Sequence, residues 1–332
     1  MYSPALKDKK ILFFSQYFFG YENKIKKKMQ EMGASVDLFD EMSVKSTKDR
    51  AILKVAPDIF NKKTEKYYFD ILKNIKLNDY DYILFIDCEM PTARVLEEYR
   101  NVFNKSIFCL HMWDSVKNLR KVERKFRFFD WITTFDREDS LQYGIKLRPL
   151  FFSDEYRSKK ENKEYKYDIS FIGTIHSDRY RIIKEIEKQF QDKKIYIYPY
   201  LQSTFIYYFY KAIKPEFRHS KVTDFMYEKM PANDIAKIVS QSKAVLDIQH
   251  PSQSGLTMRT LEMIGMKKKI ITTNQDISHY DIYNSQNIAI IDRKKVHINS
   301  AFFDSDNVEL PKEIYEEYSI ESWIRGVLNA NG

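Results

Sequence analysis

The sequence predicts an α/β protein of two successive domains, each built on a parallel sheet with helices on both faces. Three observations support this prediction. Short apolar segments rich in β-branched and aromatic residues alternate with helical segments along the chain. The chain has 332 residues, about twice the length of a typical domain. Near its middle, residues 154–168 carry ten charges in fifteen positions and show no apolar periodicity, as a solvated connector would.

The first half contains six predicted strands of four or five residues each. They lie at residues 11–14, 35–39, 82–86, 106–110, 131–135 and 146–150. Helices are predicted between them at residues 21–32, 91–101 and 116–126. Gly33 stands in a helix-ending position, Pro91 in a helix-starting one, and Asp114 or Ser115 could cap the third helix.

The second half repeats the alternation. Its predicted strands are residues 169–172, 194–198, 244–248, 269–273 and 287–291, and its clearest helices are residues 178–190, 231–242 and 256–266. Continuous apolar strands of this kind are typical of parallel sheets that are buried on both faces. We therefore expect an N-terminal domain at 1–152, a charged linker at 153–167 and a C-terminal domain at 168–332. The last helix of the chain could pack back on the N-terminal domain.

Composition excludes several classes of protein. Hydrophobic residues make up 43% of the chain and charged residues 31%, which is an ordinary globular mixture rather than a disordered or fibrous one. No apolar run approaches the roughly 20 residues needed to cross a bilayer. Two cysteines, Cys88 and Cys109, are too few for a disulfide framework, so we expect a cytoplasmic protein. The net charge of +8 suits a binder of anionic nucleotides or a peripheral membrane protein. No nucleic-acid-binding motif accompanies it.

The densest candidate site is the segment 244–274, in which a buried strand runs into a polar loop and a helix. Ligands of open parallel sheets bind at the carboxyl ends of the strands. Gly255 is placed where free backbone N–H groups at a helix start could hold a diphosphate, and Arg259 could add a charged contact. Glu262, one turn further, could accept the hydroxyls of a ribose. In the competing interpretation Ser254 only caps the helix, and Arg259 and Glu262 form a surface pair.

These residues resemble those of a known family. The stretch SGLTMRTLE followed by KKKIITTN is similar to GT-B glycosyltransferases, in particular to the CgeB-like and group 1 proteins of bacterial polysaccharide and cell-envelope synthesis. Three further segments fit the same group: LHMWDS, FDREDSLQYG and DISFIGTIHSDR. The resemblance implies a GT-B fold, in which two Rossmann-like domains face a central cleft. The N-terminal domain would then bind the acceptor and the C-terminal domain a nucleotide-sugar donor.

The resemblance also implies the donor-binding residues. They are Gly173, Thr174, His176, Arg179, Ser254, Gly255, Leu256, Thr257, Arg259 and Glu262. Glu262 falls at the second glutamate of the E-x7-E motif, which holds the nucleotide ribose in many retaining group 1 enzymes. Ser254 occupies the position of the first glutamate, so both retaining and inverting transfer stay open. The loop from Gly173 to Arg179 matches the loop that faces the donor diphosphate. His176 could equally be an ordinary exposed loop histidine.

Three residues after the strands of the first half are candidates for the base that accepts the acceptor proton. They are Asp114, His111 and Asp87. Asp114 could instead cap a helix, and His111 could pack against Trp113. No D-x-D motif follows an apolar strand, and the nearest approach is Asp87-x-Glu89 in the acceptor half. We therefore expect no metal and no cofactor, with helix dipoles and arginines stabilising the leaving diphosphate.

The function expected from all this is transfer of a sugar from a nucleotide-diphosphate sugar, with UDP as the favoured nucleotide, to a saccharide or polyprenyl-linked acceptor. A nucleotide-sugar epimerase or phosphorylase of the same fold is an alternative, and so is a non-catalytic nucleotide or sugar sensor. A further expectation concerns residues 201–221, where six consecutive apolar or aromatic residues stand beside four cations. They suit an element at the inner face of the cell membrane, although the same aromatics could instead lie in the domain core.

Overall fold

The structure is a computed structural model that describes residues 6–17, 20–44, 46, 49, 52–53, 56–119, 121–158, 164–251 and 254–330. The chain forms two compact units. The first comprises Met1–Leu150 together with Ile320–Gly332, and the second comprises Phe151–Ser319. In the described ranges no helix is both long enough and apolar enough to cross a lipid bilayer.

The first unit is built on a six-stranded parallel sheet with strand order β2-β1-β3-β4-β5-β6. The strands are β1 (Lys10–Ser15), β2 (Ser35–Asp40), β3 (Tyr82–Ile86), β4 (Ile107–Met112), β5 (Trp131–Thr134) and β6 (Lys146–Leu147). Its helices are α1 (Tyr21–Glu31), α2 (Asn61–Ile75), α3 (Ala93–Val102), α4 (Arg137–Tyr143) and, from the end of the chain, α11 (Ile320–Val327). Buried aromatic rings fill one side of the sheet, with Phe14 and Phe85 stacked 4.5 Å apart.

The second unit is built on a five-stranded parallel sheet with order β11-β10-β9-β7-β8. The strands are β7 (Tyr167–Thr174), β8 (Ile195–Tyr200), β9 (Ser242–Asp247), β10 (Lys269–Thr272) and β11 (Ile288–Ile290). The helices are α5 (Arg179–Gln189), α6 (Thr204–Ile213), α7 (Ala232–Ser240), α8 (Met258–Gly265), α9 (Ala301–Asp304) and α10 (Lys312–Glu317). The prediction of two parallel-sheet units is thus confirmed, and the predicted strands differ from the observed ones by a few terminal residues.

The helix predicted at residues 116–126 is wrong. Two 3-10 helices, Val116–Asn118 and Val122–Phe128, lie there instead, and Lys121 between them has a left-handed backbone with φ 55°. The Ser115 hydroxyl, which could have capped a helix, donates to Asp136. An α-helix needs successive residues in one conformation, and the left-handed residue interrupts it.

Part of the segment expected as a linker belongs to the second unit. Asp154–Tyr156 form a 3-10 helix with Tyr156 buried, and Arg157 makes a bidentate ion pair with Glu316. Residues 159–163 lie outside the described residues. The charges in the described part of this segment are thus partly used in tertiary contacts rather than in solvation.

Helix α11 returns to the first unit and covers the end of its sheet. The Trp131 indole N–H donates to the Gly326 carbonyl at 2.9 Å. Trp323, fully buried, meets the His111 ring edge-on with a centroid distance of 5.0 Å. The last helix of the chain therefore completes the core of the unit that contains the first residues.

Candidate functional site

The candidate donor site lies in the second unit, at the carboxyl ends of neighbouring strands. Strands β9, β7 and β8 are adjacent and parallel, so their following loops emerge at one edge of the sheet. Ligands of open α/β sheets bind at this edge. The residues expected from the sequence to contact a donor diphosphate lie at the end of β7, in these loops, or at the starts of α5 and α8.

Gly173 and Arg259 come together at the end of β7. A methyl group added to Gly173 would lie 3.0 Å from Arg259 Nη1 and 3.3 Å from Nη2. The guanidinium also lies near the Phe171 ring, with its carbon 5.9 Å from the ring centroid. Among the described residues no carboxylate forms an ion pair with Arg259. The guanidinium of Arg259 therefore packs closely against the backbone of Gly173 at this strand end.

Arg179, the first residue of α5, links the ends of two strands. Its Nε donates to the Ile248 carbonyl at 2.6 Å and its Nη1 to the Thr174 carbonyl at 2.8 Å. Burial, together with the positive charges of Arg259 and Arg293, lowers the pKa of Arg179 to about 10. The predicted phosphate ligand is thus also a brace that holds the loops after β7 and β9 together.

His176 lies in the loop after β7, and its ring is 5.5 Å from that of His250. Burial lowers its pKa to about 4, and nearby cations, Arg179 first, contribute to the decrease. The neutral imidazole is therefore the form at physiological pH. Lys214 donates to the carbonyl of Ser177 in the same loop. Because several cationic groups converge here, the edge of the sheet favours an anion.

The start of α8 differs from the sequence expectation. The helix begins at Met258, three residues after Gly255, and Arg259 is its second residue rather than its fourth. Thr257 is the cap, and its side chain accepts the Thr260 N–H, so Ser254 does not cap this helix. The Thr260 hydroxyl donates to buried Asp247 at 2.6 Å, which fixes the helix start against the end of β9.

The backbone before α8 is held by a residue that the sequence analysis did not single out. Asn274 donates its side-chain amide to the carbonyls of Ser254 and Gly255 at 3.0 and 3.4 Å. Gly255 and Leu256 are buried, while the Ser254 side chain is partly exposed. The loop is thereby anchored to the end of β10, because Asn274 follows that strand by two residues.

Glu262 lies within α8 and only 9% of its surface is exposed. Its carboxylate hydrogen-bonds with the Tyr156 hydroxyl, and together with burial this charge raises the pKa of Tyr156. Arg259 is also close enough to influence Tyr156. Glu262 is therefore not part of an exposed surface pair. It lies in one group with buried Tyr156 and partly exposed Arg259.

Two functional candidates were missed by the sequence analysis. Arg293 follows β11 and donates to Asp178 at 2.6 Å and to the Thr273 hydroxyl at 2.9 Å. His250 follows β9 and stacks near His176. Both could have been found by inspecting the residues just after every predicted strand, since that rule selects them as it selected the others.

In the first unit, Asp87 and Asp114 are neighbours at the ends of β3 and β4. Asp87 Oδ1 accepts the backbone N–H groups of Trp113 and Asp114 at 2.6 and 3.0 Å. Burial raises the pKa of Asp87 to about 7. Asp114 is half-buried, and one of its oxygens accepts from Ser115 N and Asn118 Nδ2, each at 2.8 Å. These bonds do not make Asp114 a helix cap, because the following 3-10 helix has Ser115 as its N-cap and no side-chain cap hydrogen bond.

His111 is fully buried in the first unit. Its Nδ1 lies 2.9 Å from the Thr133 hydroxyl, and its ring contacts Trp113 and Trp323. Burial lowers its pKa to about 3. The sequence left two interpretations of His111 open, and in the structure His111 packs against Trp113. No surface of the imidazole is exposed to a ligand, which leaves the two partly exposed carboxylates, Asp87 and Asp114, of the three candidate bases.

Glu41, the residue that follows β2, is a further buried carboxyl group of the first unit. Its Oε1 accepts the Met90 N–H at 2.5 Å, and burial raises its pKa to about 8. Lys125 donates to the carbonyls of Cys88 and Glu89, and so holds the same turn. In the part of the chain that the structure describes, no three His, Cys, Asp or Glu side chains are grouped to hold a metal ion.

Comparison with solved structures finds proteins of the same architecture. The chain is similar to HepE of Anabaena, solved in complex with UDP and glucose, with a TM-score of 0.54 and 12% identity over 97% of this chain and 99% of that one. It is similar to OtsA in its apo form, with a TM-score of 0.65 and 9% identity. That match covers 98% of this chain and 99% of OtsA. It is similar to sucrose-phosphate synthase from Thermosynechococcus elongatus, with a TM-score of 0.57 and 10% identity. That match covers 97% of this chain and 92% of the synthase. No protein-family model and no curated protein sequence matches the chain. The predicted GT-B fold class is confirmed.

Proposed function

We propose that this protein is a glycosyltransferase that moves a sugar from a nucleotide-diphosphate sugar to an acceptor hydroxyl. The observation that carries the proposal is the arginine cluster at the carboxyl ends of β7 and β9. There Arg259 lies against Gly173, and Arg179 and Arg293 add their charge. A diphosphate is the ligand that such a cluster suits, because guanidinium groups bind phosphate oxygens with charge-assisted hydrogen bonds.

In the proposed reaction the acceptor oxygen attacks the anomeric carbon of the donor sugar. The bond between that carbon and the β-phosphate oxygen breaks, and the nucleoside diphosphate leaves with the electron pair. Arg259 stabilises the charge that grows on the leaving diphosphate, while Arg179 keeps the two strand ends in place around it. For inverting transfer the acceptor proton passes to a base in the first unit, and our candidates are Asp87 and Asp114, because both are partly exposed.

We further propose UDP as the nucleotide and Glu262 as the residue that holds its ribose. UDP is the nucleotide bound in the HepE structure, and Glu262 lies near Arg259 in α8. Among acceptors we favour a saccharide or a polyprenyl-linked saccharide, as in the CgeB-like and group 1 proteins of polysaccharide and cell-envelope synthesis that the sequence resembles. We also propose a cytoplasmic location, because two cysteines are too few for the disulfide framework of a secreted protein.

Binding of UDP, UMP and uridine, measured by calorimetry, tests the diphosphate site. Arg259→Ala should weaken UDP binding about 10–100-fold, the loss expected for one or two charged hydrogen bonds, and uridine binding by less than about twofold. Lys184→Ala is the matched control, because Lys184 is an exposed cation of the same unit that pairs with Glu187. Equal weakening of UDP and uridine by Arg259→Ala would contradict the proposed contact.

Turnover is tested with a panel of nucleotide sugars, with and without saccharide and lipid-linked acceptors, while released nucleotide is measured. Release that depends on acceptor supports transfer. Isomerisation of the donor without release would identify an epimerase instead. Binding without any turnover across the panel would identify a sensor, and either of these outcomes would overturn the proposal.

A further inference from the structure

Helix α6 presents an apolar face to solvent. Phe205 is 74% exposed, Tyr208 62%, Phe209 50% and Ile213 57%. These positions follow the i, i+3, i+4, i+8 spacing of one side of a helix. Tyr207 on the opposite side is buried in the core of the second unit and donates to the Ser220 carbonyl. The helix is therefore attached to its unit by one face, while its other, apolar face is left exposed by the part of the chain that the structure describes.

The segment that carries this face has more basic than acidic residues. Residues 201–221 contain four Lys or Arg and one acidic residue, Glu216, and Asp224 follows. Lys211 and Lys214 lie at the end of the helix. Their ammonium groups donate hydrogen bonds within the second unit, to the carbonyls of Ser220 and Ser177 respectively. Arg218 and Lys221, just beyond the helix, are exposed. The face is thus an exposed apolar strip on a segment with an excess of basic residues, in a chain with a net charge of +8.

We propose that the exposed face of α6 docks on an anionic lipid bilayer. Aromatic rings at headgroup depth with cations beside them are the arrangement that lipid interfaces select. The helix has ten residues, so it is about 15 Å long, and one face of it is small beside the roughly 800 Å² per partner of a stable protein interface. Charge complementarity and this small area favour a lipid surface over a second copy of the chain.

The start of α6 lies close to the candidate donor site. Strand β8 ends at Tyr200 and α6 starts at Thr204, so the helix begins at the same edge of the sheet as the loops after β7 and β9. Lys214 connects the end of α6 to the loop after β7 through the Ser177 carbonyl. A bilayer under α6 would therefore lie beside the candidate donor site, which suits an acceptor carried by a lipid. The docking itself does not depend on the proposed reaction.

Co-sedimentation with vesicles tests the proposal. One set of vesicles is phosphatidylcholine, and the other is an equal mixture of phosphatidylcholine and phosphatidylglycerol. We expect the wild-type chain to pellet with the anionic set at low salt and to be released as salt rises. Phe205→Ser combined with Phe209→Ser should lower the partition coefficient about tenfold or more, and Arg218→Gln with Lys221→Gln should lower it on anionic vesicles only.

The matched control is Leu77→Ser combined with Leu141→Ser. These two leucines are 91% and 71% exposed but belong to the first unit, far from α6 in sequence, so their replacement should leave sedimentation unchanged. A wild-type chain that stays in the supernatant with anionic vesicles overturns the proposal. So does a dimer, seen by sedimentation velocity, that the α6 variant dissociates. UDP binding by the α6 variant should equal that of the wild type, which separates failure of docking from failure of the donor site.

Discussion

Replacing Gly173 by alanine tests the geometry of the candidate donor site most directly. The backbone of Gly173 is not left-handed, so alanine is compatible with its conformation. The new methyl would lie 3.0 Å from Arg259 Nη1 and 3.3 Å from the Phe171 ring, whereas ordinary contacts begin at 3.4 Å. The guanidinium must therefore move by a few tenths of an ångström, which the end of a flexible side chain can do.

The expected effect follows from that displacement. A hydrogen bond between charged groups contributes about 1.5–3 kcal/mol, and lengthening it by a few tenths of an ångström should cost about 1 kcal/mol. Gly173→Ala should therefore weaken UDP binding about five- to tenfold and change uridine binding by less than about twofold, since uridine lacks the diphosphate. The melting temperature should stay within about 4 °C of the wild type, because the strain is relieved by one side chain.

Calorimetric titration measures the affinities for UDP and for uridine, and thermal unfolding measures the melting temperature. Ser170→Ala is the control in the same strand. The Ser170 hydroxyl is buried and has no hydrogen-bond partner among the described residues, so its removal should leave UDP binding unchanged and stability equal or higher. If Gly173→Ala binds UDP as tightly as the wild type, Arg259 does not contact a diphosphate at this strand end.

The remaining predictions concern other parts of the molecule. Glu262→Gln should weaken UDP and uridine binding alike, by about tenfold, if this carboxylate holds the ribose; titrations in which neither ligand is affected would remove that role. Tyr156→Phe, which deletes the hydroxyl bonded to Glu262, should change the affinity for the same two ligands in parallel. Burial raises the pKa of Glu41 to about 8, so the folded unit retains a proton that the unfolded chain loses near pH 4.5. The contribution of Glu41 to stability should therefore fall as pH rises from about 5 to 8, by at most about 1.4 kcal/mol per unit. Thermal melts of wild type and Glu41→Gln should separate progressively over this range, and parallel curves would contradict the buried carboxyl. Transfer activity should survive added chelator, measured as nucleotide release, and complete loss would require a metal in the mechanism.

Much of the fold follows from local sequence. Strand β3 is an uninterrupted apolar run, Tyr82–Ile86, and its predicted and observed bounds are the same. Such runs are recognisable because a strand buried on both faces needs apolar residues at every position. Gly33 ends the α1 segment with φ 99°, a conformation that glycine adopts easily. The parallel order of the strands then brings the loops after β7, β9 and β10 to one edge, so the sequence could also indicate the region of the candidate site.

What the sequence could not determine is which partner each side chain finds. Val116–Asn118 is a 3-10 turn rather than the start of an α-helix, and the hydroxyl of Ser115 is used by Asp136, which is distant in sequence. His111 lies at a strand end like the other candidate bases, yet Trp323 from the far end of the chain buries it. Residues 205–210 read as one apolar run, and only packing decides that Tyr207 is inside while Phe205 is outside.

The same distinction applies to the candidate donor site. The sequence by itself determined the two parallel sheets and the loops at their carboxyl ends, because these depend on local apolar pattern and on chain order. Only the tertiary structure decided that Arg179 braces two strand ends, that Arg259 lies against Gly173, and that Arg293 joins them. Contacts between residues dozens of positions apart depend on how the elements pack, and no local pattern encodes that packing.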